Sequence, residues 1–550
     1  MNHNHARRRL AAIGAVLAMG ITAAVVTLTA RASAAPTLSA PASPQVHTTD
    51  GYVHGATSAG VATYLGLPYA APPTGDLRWR SPQPAASWSG VREAKQFGPS
   101  CPQPTPDLGN PSYPPGPISE DCLYLNVYAP SAPSRHGRPV LVWIHGGGLT
   151  EDAARNYDGT KLATSGAVVV TINYRLGALG FLANAALASH PGGPAGNYGL
   201  MDQQAALRWV QRNIAAFGGD PSDVTIAGES AGGLSVLAQL VSRGARGLFQ
   251  RAIVQSGAFA LNQRSLGAAE ANGQAVAEKV HCTTDVARCL RATPVADLVG
   301  AFTVPEIPGD VDGAVLTEPI GQALAAGRFA HVPVINGITH DEERLFVDAV
   351  HVTVSQGTDV PLAAPLSPET YQQDISAALG VSSDVAAVIA DEYPLADYAA
   401  ADDTAADIAF STLASDASFA CPALQVDRWT SARVPTYVYE FDDDSAPFTL
   451  APAGYFPAVA THGSELPYLF DEPNAPFPAT LDGEQSTLAT SMQSAWVHFA
   501  DSGRPSTTSL RWPSYRHHDR QISFATPSTS IVRNSSAVHH CGFWNNLEGA

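Results

Sequence analysis

Apolar residues run without interruption from Val140 to Ile144, a pattern that suits a strand covered on both faces, and Val168 to Asn173 is a further apolar run. Cys122 to Tyr128 alternates instead, as a half-buried strand does. Val224 and Ile226 mark another strand, and Ala252 to Gln255, Val332 to Gly337 and Tyr437 to Phe441 mark three more. Between them the spacing turns helical. Ala205, Leu207, Trp209, Val210 and Ile214 predict a helix over Met201 to Ile214, which Phe217-Gly218-Gly219-Asp220-Pro221 stops, and Leu234, Val236, Leu237 and Leu240 predict the next. Ser486 to Ala500 reads as a terminal helix. Strands alternating with helices predict an α/β fold class: a large, mostly parallel central sheet with helices on both faces. Val53 to Trp88 reads as short strands and turns, whereas residues 265–300 and 365–420, alanine-rich and helical in tendency, are expected as long helical insertions over the mouth of a site.

Two glycine-rich stretches interrupt this pattern where chemistry is expected. Gly228-Glu229-Ser230-Ala231-Gly232-Gly233 joins a strand to a helix, and a serine flanked by small residues there can occupy a tight turn that lifts its hydroxyl clear of the sheet. The helix that follows aims unsatisfied amides at whatever the serine attacks. His145-Gly146-Gly147-Gly148 follows the buried run ending at Ile144, and glycines in that place let backbone amides face a developing negative charge. Both stretches follow the carboxyl ends of strands, where ligands of such sheets sit. A serine hydroxyl needs a base within reach, and the base needs an orienting acid. The chain order serine, acid, histidine is met by Ser230, an acid after the strand ending at Gly337, and His462 beside Gly463. For the acid, Asp341, Glu342 and Glu343 compete as neighbours.

The N-terminus changes the expected location. Arg7, Arg8 and Arg9, an apolar stretch from Leu10 to Ala30 and Ala32-Ser33-Ala34 describe a signal peptide over residues 1–34, so a secreted, extracellular chain is expected, with no stable membrane insertion after cleavage. An uncleaved anchor is the competing reading of that stretch, and the paired arginines also fit an export signal for folded proteins. Removing residues 1–34 takes away four arginines and no acid, which moves the formal net charge from -18 to -22. So acidic a chain repels phosphate backbones, and nucleic acid is excluded as a partner. Residues 35–550 show no internal repeat and are expected to form a single catalytic domain. Six cysteines in an exported chain predict three disulfides: Cys282 and Cys289 are close in sequence, Cys101 and Cys122 bracket a proline-rich segment, and Cys421 is left for Cys541. No C-x-x-C or H-E-x-x-H spacing supports a metal.

Glu120-Asp121-Cys122-Leu123-Tyr124-Leu125-Asn126-Val127, Asn197-Tyr198-Gly199-Leu200-Met201-Asp202-Gln203, Phe217 to Pro221 and Gly228 to Gly233 together resemble type-B carboxylesterases, the cholinesterase-like branch of the α/β-hydrolases. The likeness runs from about Tyr64 to Trp544. It implies an α/β-hydrolase fold and a serine carboxylesterase that passes through an acyl-enzyme, without cofactor, on a small-molecule ester. The family pattern implies Ser230 as nucleophile, Glu342 as acid, His462 as base and the amides of Gly147, Gly148 and Ala231 as oxyanion donors. It implies the same three disulfides, Cys101 with Cys122, Cys282 with Cys289 and Cys421 with Cys541. The chain departs from the pattern at Leu149, where many relatives carry phenylalanine, and at Glu343, where they often carry glycine. Between Cys101 and Cys122 there is no tryptophan to hold a quaternary ammonium, so choline esters are disfavoured. A specialised hydrolase of lactones or polyesters, or a non-catalytic recognition domain on the same fold, are the other readings.

Overall fold

Successive side chains of a strand point to opposite faces, so the run from Val140 sends Val140, Val142 and Ile144 one way and Leu141 and Trp143 the other; all five are buried, in two separate cores. The computed structural model describes residues 44–548 apart from 105–115, 135, 189–195, 303–308, 348–365, 399–403, 451–456, 479 and 517–519. The expected signal peptide, residues 1–34, lies outside the described residues.

Among the described residues eleven strands form the main sheet: β1 (Ala56–Ser58), β2 (Val61–Pro68), β3 (Tyr124–Pro130), β4 (Arg138–Ile144), β5 (Val168–Ile172), β6 (Gly219–Glu229), β7 (Arg251–Gln255), β8 (Val334–Thr339), β9 (Thr436–Phe441), β10 (Gln521–Phe524) and β11 (Ser530–Val532). Their order in space is β11-β10-β9-β8-β7-β6-β4-β5-β3-β2-β1. Every pair from β5 to β10 is parallel, and antiparallel strands close both edges.

The helices that matter to the site are α1 (Tyr198–Asn213), α2 (Ala231–Val241), α3 (Leu266–Lys279), α4 (Tyr371–Leu379), α5 (Ser383–Glu392), α6 (Ala405–Ser415), α7 (Cys421–Ser431), α8 (Gly483–Ser502) and α9 (Cys541–Glu548). One face of the sheet is covered by α1, α2 and α7, through residues such as Trp209, Leu237 and Val426. The other is covered by α8, through Leu488, Met492, Trp496 and Phe499. Helix α1 tightens into a 3-10 turn over Ile214–Phe217 and ends at Gly218, whose φ of 85° a side chain would disfavour. The two alanine-rich stretches are helical as expected, supplying α3 and two short helices in the first and α4 to α6 in the second.

Helix α8 is not terminal. The chain returns to add β10 and β11 to the sheet and ends in α9. The four-residue segment Gln521–Phe524 is too short to announce itself by period, and it is buried only because it pairs with β9. The three disulfides join Cys101 to Cys122, Cys282 to Cys289 and Cys421 to Cys541, the last tying the start of α7 to the start of α9.

A buried ion pair fixes the loop after β5 to α1. Arg175 donates from Nε and Nη2 to the two carboxylate oxygens of Asp202, each at 2.7 Å, and both residues are almost fully enclosed. Such a fork is held by geometry, and removing one partner strands the other charge in the interior. Arg175→Met is therefore expected to destabilise the protein by about 3–5 kcal/mol. A guanidinium unfolding midpoint within error of the parent would contradict this.

Candidate active site

Ser230 stands between β6 and α2 with φ 56° and ψ -127°, a conformation that side-chain-bearing residues rarely adopt. Its neighbours permit the turn only because they are small. A Cβ on Gly228 would lie 2.5 Å from the carbonyl of Gly232, and one on Gly232 would overlap the carbonyl oxygen of Ile144. The turn is pinned from both sides, by the Ser230 amide donating to Gln255 on β7 at 2.9 Å and by the Leu234 amide donating to the Ser230 carbonyl at 2.9 Å.

The glycine stretch after β4 is pressed against this turn. A Cβ on Gly146 would meet the Ser230 Cβ at 3.1 Å, and Gly147 and Gly148 take φ of 78° and 60°. Among the described residues no acceptor takes a hydrogen bond from the amides of Gly147, Gly148 or Ala231, and Ala231, as the first residue of α2, has none within its own helix. The loop is rigid beneath them. Asp152 accepts from the amide of Ala153, from Asn156 Nδ2 and from the Tyr157 hydroxyl. His145 stacks on Tyr174, whose hydroxyl donates to the His145 carbonyl, and burial lowers the His145 pKa, so its ring is neutral.

His462 follows β9 and is buried. Its Nδ1 lies 2.5 Å from Oε2 of Glu342, and Oε1 of the same carboxylate accepts from the Thr339 amide at 3.0 Å. The three adjacent acids that the sequence left in competition are separated by geometry. Asp341 pairs with Arg344 at 2.9 Å, and Glu343 faces the cavity beside Phe346 and Phe419; Glu342 alone of the three meets His462. Phe346 and Phe419 flank the imidazole, with ring centroids 5.1 and 5.2 Å away.

Two further acids near His462 were missed by sequence reasoning. Glu229, the residue before Ser230, places Oε1 3.1 Å from His462 Nε2, outside hydrogen-bond geometry, and among the described residues Nε2 has no hydrogen-bond partner. Burial pushes the Glu229 pKa well above the usual carboxylate range, against the pull of the neighbouring His462. Glu465 accepts from Gln255 Nε2 at 2.9 Å, and burial, then the Glu342 charge, bring it up to about 7. Their position next to a nucleophile-type turn and a catalytic-type histidine was the only signal in the sequence, since nothing local distinguishes a buried glutamate from a solvated one.

Two cavities meet at Ser230. One, of about 330 Å³, runs past His462 towards Leu450, Leu466 and Glu472. The other, of about 490 Å³, runs past Ala231 towards Phe259, Leu261 and Phe419. Burial raises Glu472 to about 8 and Glu151 to about 7 in the first. Leu149 enters neither cavity and lines a separate small one behind Gly148. Of the expected insertions, the second reaches the mouth through Ser418 and Phe419, while α3 borders only the cavity at Leu149.

A mixed sheet of this order, with a serine at the sharp turn after a central parallel strand and a histidine-carboxylate pair arriving from the loops after β8 and β9, defines an α/β-hydrolase. The pattern described as the carboxylesterase family matches residues 42–544. The chain is 36% identical to a para-nitrobenzyl esterase of Bacillus subtilis (strain 168) over 87% of its own length and 94% of that protein. It is 35% identical to a fumonisin B1 esterase of Sphingopyxis macrogoltabida, covering 87% of this chain and 86% of that one, and 37% identical to a cocaine esterase of Oryctolagus cuniculus, covering 88% and 92%. A solved thermophilic PNB esterase superposes with a TM-score of 0.76 at 33% identity, covering 91% of this chain and all of that one. The chain belongs to the carboxylesterase family and is a carboxylic ester hydrolase.

Proposed function

We propose that this protein is an exported serine carboxylesterase in which Ser230 is the nucleophile, His462 the base, Glu342 the acid that orients it, and the amides of Gly147, Gly148 and Ala231 the oxyanion donors. The observation that carries the reading is the convergence of the Ser230 turn, the His462–Glu342 hydrogen bond and the glycine stretch on one pair of cavities. His462 Nε2 takes the Ser230 proton as Oγ bonds to the ester carbon, and the carbonyl π pair moves to oxygen, where the three amides hold it. Collapse expels the alkoxide, which takes the proton from Nε2. Water then repeats both steps on the acyl-serine and releases the acid. The two halves of an ester lie in the two cavities, whose apolar walls include Leu450 and Leu466 in one and Phe259 and Leu261 in the other. A fluorophosphonate is expected to add once, at the peptide carrying Ser230; a labelled protein with that peptide unmodified would refute the nucleophile.

Activity requires unprotonated His462. Burial pulls its pKa down, the charges of Glu229 and then Glu342 and the Glu342 hydrogen bond push it up, and the net direction is above 6.5. The expected kcat/KM profile falls about tenfold per pH unit on the acid side, below an apparent pKa above the ordinary histidine value. An acid limb centred below 6.5 would contradict this balance.

Residues 1–34 are taken to direct export and residues 35–550 to form one catalytic domain. The three disulfides support an oxidising destination, and among the described residues no helix is long and apolar enough to cross a membrane. Protein recovered from culture medium is expected to begin at Ala35, and full-length chain held in the membrane fraction would count against it.

A further inference from the structure

Two residues before Glu342, at the end of β8, His340 meets two groups from distant parts of the chain. Its Nδ1 lies 2.5 Å from Oε1 of Glu440 on β9, and Nε2 of His539, in the turn before α9, lies 3.1 Å from the same oxygen. The donor atoms of the three residues all fall within 4.8 Å of one another. We propose that His340, Glu440 and His539 bind one divalent transition-metal ion of the borderline class that Zn²⁺ represents.

The chemistry of the set supports an ion there. Two imidazole nitrogens and one carboxylate oxygen are the donors such ions take, and three protein ligands leave a position for water. The ligands are oriented from behind. His539 Nδ1 lies 2.6 Å from Asp416 Oδ1, which aims Nε2 at Glu440; Asp416 Oδ2 accepts from the Tyr393 hydroxyl at 2.8 Å, and that hydroxyl accepts from Trp544 Nε1 at 2.8 Å. A carboxylate behind a ligating histidine is the arrangement that fixes its tautomer in metal sites. Gln521 Nε2 donates to Glu440 Oε2, which leaves Oε1 for the ion. The open side is at His340, whose side chain is 34% exposed, with Asp442 Oδ1 3.9 Å from its Nδ1. Metal bonds of about 2.0–2.1 Å set tetrahedral donors about 3.3 Å apart, so the 2.5 and 3.1 Å separations from Glu440 Oε1 have to widen by less than about 1 Å. The exposed His340 ring has room to supply that movement.

An ion here would join the β8 loop that carries Glu342 to the segment preceding Cys541. Through Asp416 it would also reach the π-helical turn Asp416–Ala420, which presents Phe419 to His462. Nothing in the sequence marks this set, because its members are about a hundred residues apart and share no motif.

The test is calorimetric titration of the full chain, stripped with chelator, with ZnCl₂, alongside Co²⁺ absorption and thermal unfolding. The parent is expected to bind Zn²⁺ at micromolar or lower concentration, to give the intense visible bands of low-coordinate Co²⁺ and to unfold at higher temperature when loaded. His340→Ala is expected to lose one equivalent and those bands, a loss larger than the about 10–100-fold that removing an outer partner costs. His331→Ala, a change at an exposed histidine elsewhere, is expected to keep both. X-ray absorption of the parent with one equivalent of Zn²⁺ is expected to show two imidazoles, which reads the site without any variant. No binding by the parent at 100-fold excess of Zn²⁺, equal binding by His340→Ala, or a zinc shell without imidazole would each overturn the proposal.

Discussion

Replacing Ser230 by alanine is expected to lower kcat on a nitrophenyl ester by about 10⁴- to 10⁶-fold while leaving the protein folded. Alanine keeps the Cβ of serine, so it inherits the same backbone at φ 56° and the same contact with Gly146, and only the hydroxyl is lost. The residual rate comes from the amides and the cavities, which still bind and polarise the ester. Ser230→Gly separates the two demands made on this position. It relieves a backbone conformation that costs about 1–3 kcal/mol, so it is expected to unfold at a higher temperature than the parent while being as inactive as the alanine variant. Measured kcat within tenfold of the parent for Ser230→Ala, with the variant re-sequenced and folded by circular dichroism, would remove Ser230 from the mechanism.

Glu342→Gln is expected to cost about 10⁴-fold in kcat, close to what an amide in place of the orienting acid costs in other serine hydrolases. Two losses combine. The carboxylate no longer balances the imidazolium that forms as His462 takes the proton, and the amide nitrogen, if turned towards Nδ1, forces the tautomer in which Nε2 carries the hydrogen and cannot act as a base. The same change removes one of the charges, and the carboxylate hydrogen bond, that raise the His462 pKa, so the acid limb of the residual activity is expected to move to lower pH. That shift distinguishes a role through His462 from general loss of structure. Asp341→Asn and Glu343→Gln are the matched controls, since Asp341 is engaged with Arg344 and Glu343 faces the Phe419 cavity, and each is expected to retain activity within about tenfold. If either control fell by orders of magnitude while Glu342→Gln stayed active, the acid would have to be reassigned.

The fold was legible wherever a segment was long enough to show its period. β4 was visible as an unbroken apolar run and β5 as a largely apolar one because both of their faces are covered, and α1 because it keeps its period over sixteen residues. The four residues of β10 and the three of β11 are too short to be legible, which is why α8 reads from sequence as the terminal helix. Their burial depends on a partner strand that sequence spacing does not name. The same limit applied to the insertions: helical character was visible in the alanine-rich stretches, but which of them reached the mouth was decided by Phe419 in one and by the absence of any α3 residue near Ser230 in the other.

By itself the sequence determined the type of each central strand from β3 to β9, the small residues that permit the Ser230 turn, the glycines opposite it, and, through its ordered motifs, the family. These are local properties: steric room at a turn and the period of apolar positions are set by neighbours along the chain. Only the tertiary structure decided which of three adjacent carboxylates meets His462, that Glu229 and Glu465 are buried beside it, and that His340, Glu440 and His539 converge. Each of those depends on groups about a hundred residues apart or more, or on removal from water, and both are consequences of how the sheet is assembled and not of any stretch read alone.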